Sequence, residues 1–418
     1  MNRNDKSIVG LVMVAHAMVH TYELSIPILL LIWMAEFGVN EATISLVVSA
    51  GFALFGIGAL PSGVLVDRFG SGPLITACLL GMGGSFLLLG LAPNLLVVAA
   101  ALLLWGVAAS VYHPSGLALI SRGVTERGSA FAYHGVAGNL GIALGPLVTS
   151  LLLLAYDWRI VVGLLAIPAG LAALYAGRVK VDEQAAVTAD GGEETDSEPI
   201  SSVSEFVSES RALFVGGFAL VLTVAMMSGL YYRGALTFLP ALITEFLGFD
   251  GTTVQLAGFS FDIARDELSR YVYSGLLMVG VMGQYAGGKL TDRVPVEYGI
   301  MAGFGTLSVI ALVIVPAAAI GVIPFLLVGV ALGFTLFMVQ PIYQASIAEY
   351  TPAAARGLSY GYTYFFVFGV GAAGGVIAGT LLTYFSPMVL FTVLACFGAT
   401  GSLIGFVLSR RAQRAQVA

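Results

Sequence analysis

The chain has 418 residues, of which 58% are hydrophobic and 10% are charged, and its net charge is −6. An average soluble domain has about 45–50% apolar and about 25% charged residues, so this composition excludes a water-soluble globular protein. We expect a lipid bilayer around the chain and no nucleic-acid partner.

Apolar stretches of about 20 residues recur along the chain, each long enough to cross a bilayer as a helix. They are continuous and rich in Gly and Ala, whereas a membrane β-barrel would show short alternating segments. The sequence therefore predicts an all-α membrane protein with twelve transmembrane helices. Their predicted ranges are 8–34, 43–62, 74–92, 95–118, 129–154, 158–177, 211–238, 270–288, 298–318, 321–346, 357–384 and 388–408.

One long polar segment divides six predicted helices from six. Residues 178–210 are acidic and poor in aromatic residues, which is typical of a disordered cytoplasmic linker. The predicted organisation is an N-terminal six-helix bundle over 1–177, this acidic linker, a C-terminal six-helix bundle over 211–408, and a cytoplasmic tail over 409–418.

The distribution of basic residues predicts the orientation. With the N-terminus inside, 14 of the 18 Lys and Arg residues fall on the cytoplasmic side, where basic residues are retained during insertion. We expect a multi-pass protein of the plasma membrane with both termini in the cytoplasm, and we expect it to be a monomer.

The two halves repeat each other at three ordered landmarks. The loop Gly63–Arg68 after the second predicted helix matches Gly288–Arg293 after the eighth, His113-Pro114 matches Gln340-Pro341, and Arg127-Gly128 matches Arg356-Gly357. Because each half has an even number of helices, the two bundles have the same orientation in the membrane and enclose a shared cavity.

The first of these loops has the form Gly63-x-x-x-Asp67-Arg68-x-Gly70. It resembles the signature loop of the major facilitator superfamily, and the resemblance covers the whole chain. It implies a major facilitator fold and a cytoplasmic gating loop in which Asp67 and Arg68 help to hold one conformation. Gly288, Asp292 and Arg293 form a weaker copy, and Ser71-Gly72 stand where the family pattern has a second basic residue.

A second resemblance lies in the fourth and fifth predicted helices. Tyr112-His113-Pro114, followed by Gly138, Gly141 and Gly145-Pro146, is similar to the fosmidomycin-resistance type of efflux protein. It implies an antiporter that exports a small organic compound. The three glycines also share one helical face and allow close approach of another helix, and Pro146 permits a bend; helix packing and a gating role both remain open.

Few ionisable residues lie inside the predicted helices, where a charge costs about 2.5–3.5 kcal/mol at mid-bilayer. His16, His20 and Glu23 share one face of the first helix, and Arg233 lies at a similar depth in the seventh, between Tyr231 and Tyr232. We expect Glu23, assisted by His20 and His16, to exchange the coupling proton. Arg233 binds an anionic substrate or holds Glu23 ionised; a static salt bridge is the alternative.

Neutral polar residues supply further candidates for substrate binding. Gln340, Tyr343 and Gln344 share a face of the tenth helix, and Tyr360, Tyr362 and Tyr364 lie in the eleventh. We assign His113, Tyr231, Tyr232 and these three tenth-helix residues to substrate binding, together with Arg233. For His113 the alternative is a hydrogen bond to a carbonyl freed by Pro114.

These features favour a proton-coupled secondary transporter that exports a small organic or drug-like compound by alternating access. Uptake of a small organic anion on Arg233, export of a divalent metal through the histidines, and a membrane sensor or scaffold that kept the fold are the alternatives. No nucleotide loop or nucleophile arrangement is present in the sequence, so we expect neither an enzyme nor a cofactor, and we assign no resident metal.

Overall fold

A computed structural model describes residues 1–186, 203–214, 217–248, 251–256, 259–351 and 356–417. Its N-terminal half is helical throughout. The helices are α1 Arg3–Phe37, α2 Glu41–Ile57, α3 Ala59–Phe69, α4 Ser71–Gly90, α5 Leu95–Ser110, α6 Tyr112–Gly123, α7 Arg127–Leu153 and α8 Trp158–Ala176.

The described residues of the C-terminal half are helical apart from one β-hairpin and short connections. Its elements are α9 Val203–Leu213, α10 Phe218–Leu236, α11 Leu239–Leu247, β1 Gly251–Leu256, β2 Phe259–Ala264, α12 Arg265–Thr291, α13 Val296–Ile320, α14 Val322–Glu349, α15 Arg356–Tyr364, α16 Ala373–Tyr384 and α17 Pro387–Val417. A π-helical turn, Phe365–Gly369, and a short 3₁₀ turn, Val370–Ala372, join α15 to α16.

Side-chain caps show why several helices begin where they do. The first N–H groups of a helix have no partner within it, and a preceding Asn or Asp supplies one. Asn2, Asn40 and Asn94 each accept a hydrogen bond from the N–H three residues later, at 2.8, 3.0 and 3.1 Å. Gly38, with φ of 63°, ends α1 in the left-handed conformation that glycine adopts readily.

The all-α membrane fold with two six-helix bundles is confirmed. Ten helices of the described ranges are long and apolar enough to cross a membrane, or eleven when α2 and α3 count as one span bent by 47°. The remaining predicted span, 270–288, lies within the 27-residue helix α12, which carries more polar residues than the others, among them Arg270, Gln284 and Lys289.

The packing of helices repeats between the halves. In the N-terminal half α1 packs on α7, α2 on α5 and α4 on α8; at the equivalent places of the C-terminal half α10 packs on α16, α12 on α14 and α13 on α17. The halves meet where α2 packs on α16 and α7 on α12, which are also equivalent pairs. This pattern fits two like-oriented bundles related by an axis along the membrane normal.

One contact between the halves joins backbone to backbone. A Cβ atom on Gly56 of α2 would overlap the backbone nitrogen of Gly369 in the π-helical turn. Only glycine allows so close an approach at this point.

Both ends of the predicted linker and most of the predicted tail pack on helices or belong to them. Residues 178–186 lie against the N-terminal half, where Asn4 exchanges hydrogen bonds with the backbone of Asp182 at 2.8 and 3.0 Å. Residues 203–210 of the predicted linker belong to α9, and the predicted tail 409–418 continues α17 as far as Val417. Residues 187–202 of the predicted linker lie outside the described residues.

The segment between the seventh and eighth predicted helices contains the antiparallel pair β1–β2, in which Gly251 pairs with Ala264 and Leu256 with Phe259. No strand is predicted there from the sequence. The hairpin leads directly into the first turn of α12.

Candidate functional site between the two halves

Glycines of α7 bring that helix against α1 and create the space for the site. Gly141 lies against the backbone of Ala17 and Gly145 against the backbone of Thr21, while a Cβ on Gly138 would overlap the imidazole of His16. The predicted glycine face is therefore a packing face in this structure, and at Gly138 it also makes room for a candidate site residue.

His16, His20 and Glu23 form a cluster on α1. A chain of contacts between polar atoms runs through this cluster and ends at Arg233 in the other half of the protein. Nδ1 of His16 lies 2.7 Å from the carbonyl oxygen of His134, and Nε2 of His16 lies 3.0 Å from Nε2 of His20. Nδ1 of His20 lies 2.6 Å from Glu23 Oε2, and Glu23 Oε1 lies 2.5 Å from Nη2 of Arg233. Glu23 and Arg233 are only 1% and 3% exposed, so this ion pair across the halves is shielded from water.

The geometry of this chain constrains where hydrogens can lie. Nδ1 of His16 faces a carbonyl oxygen and Nδ1 of His20 faces a carboxylate oxygen, so each of these nitrogens is placed as a donor. Nε2 of both rings is then left for the contact between them, which is a hydrogen bond only when one of the two rings carries a second hydrogen. The pair His16–His20 is thus a place where the cluster can take up one proton.

Aromatic rings surround the arginine. Its guanidinium carbon lies 3.6 Å from the ring centroid of Phe52, 5.5 Å from Tyr232 and 6.0 Å from Phe368. Phe52 belongs to the N-terminal half, so Arg233 is held by an ion pair and by a cation–π contact from the same opposing bundle. The Nε–H of Arg233 is buried and has no hydrogen-bond partner among the described residues.

His113 completes the cluster from α6. Its ring lies 5.3 Å from that of His16, 5.7 Å from that of His20 and 5.0 Å from that of Tyr364. The predicted hydrogen bond to a carbonyl freed by Pro114 is not found in the described chain. His134 stacks on His16 at 3.8 Å, so all four histidines of the sequence meet at one place.

Some predicted binding residues lie elsewhere. Tyr231 is fully buried within the C-terminal half, where its hydroxyl donates to the carbonyl of Leu307 at 2.9 Å. On α14, Tyr343 is buried, Gln340 is half-buried and Gln344 is exposed. None of these four makes a hydrogen bond or a ring contact with the histidines, Glu23 or Arg233 within the described ranges, whereas Tyr232 lies beside Arg233.

The predicted gating loop pairs with a residue that the sequence did not suggest. Asp67, in the last turn of α3, accepts a hydrogen bond from Arg122 of α6 at 2.8 Å, while Arg68 lies over the ring of Phe69 at 5.2 Å. In the repeated loop, Asp292 forms a longer ion pair, with Lys289 at 4.0 Å at the end of α12. Arg293 is exposed and Gly288 is half-buried. Gly63 is exposed, and a Cβ there would contact nothing.

A carboxylate from the linker occupies the next turn. The backbone N–H groups of Ser71 and Gly72, which begin α4, both donate to Glu183 at 2.8 Å. Gly70 allows this turn because its φ is 79°. Glu183 therefore caps the helix at the place where the family pattern would have a basic side chain.

Pro146 lies within α7 without ending it. Its carbonyl accepts a hydrogen bond from Ser150 at 2.7 Å, and Thr149, one turn beyond Gly145, donates to Ser25 of α1 at 2.8 Å. The bond from Thr149 joins α7 to α1 just beyond Pro146, whereas the bond from Ser150 lies within α7 itself.

Sequence reasoning missed Phe52, Phe368, Arg122 and Glu183. The two phenylalanines lie in apolar spans, where nothing in the pattern separates a cavity-facing ring from a lipid-facing one. Arg122 was interpreted as a basic residue that sets orientation, and Glu183 as one of many linker acids.

The fold and this buried, ionisable site between two bundles define a membrane transporter. A family model for the Major Facilitator Superfamily matches residues 11–375, and the chain belongs to that family. It is 24% identical over 318 residues to an uncharacterized MFS-type transporter, YfnC, of Bacillus subtilis, covering 74% of this chain and 69% of that protein.

Two further comparisons are informative. The puromycin resistance protein pur8 of Streptomyces alboniger is 35% identical over 127 residues, which cover 30% of this chain and 25% of that protein. The crystal structure of a bacterial homologue of the human lysosomal transporter Spinster, in an inward-facing and occupied conformation, has a TM-score of 0.74 at 13% identity and covers 98% of both chains. The latter likeness concerns the fold alone.

Proposed function

We propose that this transporter exports a small organic or drug-like compound in exchange for protons, by alternating access of the two bundles. The observation that carries the proposal is the hydrogen-bonded chain from His16 through His20 and Glu23 to Arg233. It offers a place for one additional proton between His16 and His20 and ends on the opposite half, so proton binding and the contact between the halves involve the same carboxylate.

In this mechanism Glu23 accepts and releases the coupling proton, and His20 and His16 deliver it. Release of the proton leaves Glu23 ionised and paired with Arg233. Uptake of a proton neutralises the carboxylate and weakens this ion pair. After proton uptake the two halves therefore separate more easily. The chain is proposed to lie in the plasma membrane with both termini in the cytoplasm, which places the Asp67–Arg122 contact on the cytoplasmic side.

Export is favoured over uptake by the likeness to fosmidomycin-resistance efflux proteins and by the similarity of part of the chain to a puromycin resistance protein. Puromycin is therefore the first probe for a thermal-shift screen on the purified protein. Compounds that stabilise it are then tested for proton-driven accumulation in inside-out vesicles.

The coupling role is tested with Glu23→Gln, which keeps the shape of the side chain and removes the exchangeable proton. Proton-driven flux in proteoliposomes should be lost, whereas exchange of substrate across the membrane without a gradient should persist. Glu36→Gln is the matched control, since Glu36 lies on the same helix but pairs with Arg159 at its far end. Undiminished proton-driven flux in Glu23→Gln would overturn the assignment.

One observation favours a second candidate function. The unpaired, buried Nε–H of Arg233 offers a donor to an anionic substrate, as uptake of a small organic anion requires. The direction of flux separates the two functions: accumulation in inside-out vesicles supports export, and accumulation in right-side-out vesicles supports uptake.

A further inference from the structure

Three histidines converge at the centre of the cluster. One ring nitrogen from each of His16, His20 and His113 lies within 4.8 Å of the other two, the one such group of three or more potential ligands among the described residues. His16 and His20 are four residues apart on one face of α1, the spacing by which a helix presents two imidazoles to one metal ion. His113 reaches the same point from α6.

The distances suit a small divalent cation. A tetrahedral zinc ion bound by imidazole nitrogens at about 2.0–2.1 Å holds those nitrogens about 3.3 Å apart. Nε2 of His16 and Nε2 of His20 are already 3.0 Å apart. The third nitrogen needs to approach by at most about 1.5 Å on this geometry, and the ring of His113 is not held back by any hydrogen bond to a described residue.

The ring nitrogens of His16 and His20 that face away from this centre have the hydrogen-bond acceptors that are usual for metal-binding histidines. A metal-bound imidazole usually donates its other N–H to a carbonyl or a carboxylate, which fixes the ring and directs the free nitrogen at the metal. Nδ1 of His16 lies 2.7 Å from the carbonyl oxygen of His134, and Nδ1 of His20 lies 2.6 Å from Glu23 Oε2. In both rings Nε2 is thereby left to face the common centre.

We propose that His16, His20 and His113 form a binding site for a late first-row divalent cation of the zinc type. The ion takes the place of the hydrogen that joins His16 to His20 and leaves a fourth coordination position open. Three neutral imidazoles without a carboxylate ligand favour Zn²⁺, Cu²⁺ or Ni²⁺ over Mg²⁺ and Ca²⁺, which prefer oxygen.

The groups that face this centre come from five helices. They are Glu23 on α1, Tyr112 on α6, His134 on α7, Arg233 on α10 and Tyr364 on α15. Arg233 is the one permanent cation among them, and its charge is matched by Glu23 at 2.5 Å. The carboxylate therefore lies between the arginine and the metal position and reduces their mutual repulsion.

Because the same histidines are proposed to carry protons, a bound metal should block proton-coupled export. That consequence depends on the proposed function, whereas binding itself does not. The test is therefore a binding measurement on the purified full-length protein, with ZnCl₂ in isothermal titration calorimetry and CoCl₂ as a spectroscopic probe.

We expect one Zn²⁺ per chain, visible absorption bands typical of tetrahedral Co²⁺, and no binding of Mg²⁺ at the same concentrations. His113→Asn should weaken Zn²⁺ binding at least tenfold, since loss of an outer partner alone costs about 10–100-fold. His134→Asn is the matched control: its ring stacks on His16 but supplies no ligand, and the carbonyl that His16 uses belongs to the backbone.

The proposal is overturned if wild-type protein gives no tetrahedral Co²⁺ spectrum, or if His134→Asn weakens binding as much as His113→Asn. The first readout needs no variant and stands even when a substitution prevents folding. Failure of Zn²⁺ binding with intact proton-driven flux rejects the metal site alone, and Zn²⁺ binding without proton-driven flux rejects the proposed function alone.

Discussion

The buried pair Glu23–Arg233 should respond unequally to removal of its two members. At 2.5 Å the two charges attract each other by about 7 kcal/mol with an effective dielectric constant of about 20. Burial costs several kcal/mol for each ion, so the intact pair contributes little net stability, whereas one charge left alone costs about 3–5 kcal/mol.

The two single substitutions leave different partners behind. Glu23→Gln strands a guanidinium that stays charged and retains only its ring contacts, the nearest with Phe52 at 3.6 Å. Arg233→Gln strands a carboxylate that can bind a proton and so become neutral. We therefore expect Glu23→Gln to be the more destabilising, by most of that 3–5 kcal/mol, and the double substitution to cost less than the sum of the two.

The assay is thermal unfolding of purified protein in detergent. For a bundle of this size 3–5 kcal/mol corresponds to a fall in Tm of about 6–20 °C. An equal fall in Tm for Arg233→Gln and Glu23→Gln, or simple addition of their two effects, would contradict the expected difference between the two stranded charges.

Four other substitutions or additions have defined outcomes. Gly138→Ala should destabilise the α1–α7 contact by about 1–3 kcal/mol, because its Cβ overlaps the ring of His16, while Gly135→Ala, where a Cβ meets nothing, leaves Tm unchanged or slightly higher. Asp67→Asn should change stability by only about 0.2–1 kcal/mol, since Asp67 and Arg122 are 45% and 43% exposed, and the difference should vanish in high salt. Glu183→Gln should speed limited proteolysis of the linker about 2- to 30-fold, as expected for loss of a helix cap that contributes about 0.5–2 kcal/mol; an unchanged rate would contradict the cap. Zinc binding should release about one proton per ion, measured as heats of binding that differ between buffers of different ionisation enthalpy.

Much of the cluster could be predicted from the sequence because helical spacing is a strong constraint. Residues 16, 20 and 23 share a face in any α-helix, and charged residues in apolar spans are few, so Glu23 and Arg233 were natural partners. The depth at which they meet followed from aligning the two halves.

The remaining details depend on helix rotation and on contacts between distant segments. Tyr231 and Tyr232 are neighbours in sequence, yet only Tyr232 faces the arginine, because the rotation of α10 is fixed by its packing on α14, α16 and α17 rather than by its own pattern. The bend at Gly58 and the π-helical turn likewise depend on tertiary packing. The β-hairpin lies in a segment that is too polar and too short to show a clear hydrophobic periodicity.

The glycine contact between α2 and the π-helical turn has a consequence for the rate of conformational change. Gly56 and Gly369 meet without side chains, and within the described ranges no backbone hydrogen bond joins their two segments. The rings of Phe55 and Phe368 lie 4.7 Å apart beside this contact, so dispersion forces rather than hydrogen bonds are the main resistance to separation. This point can act as a pivot in the proposed rocking motion, and the activation barrier of that motion should depend mainly on the ionic cluster beside it.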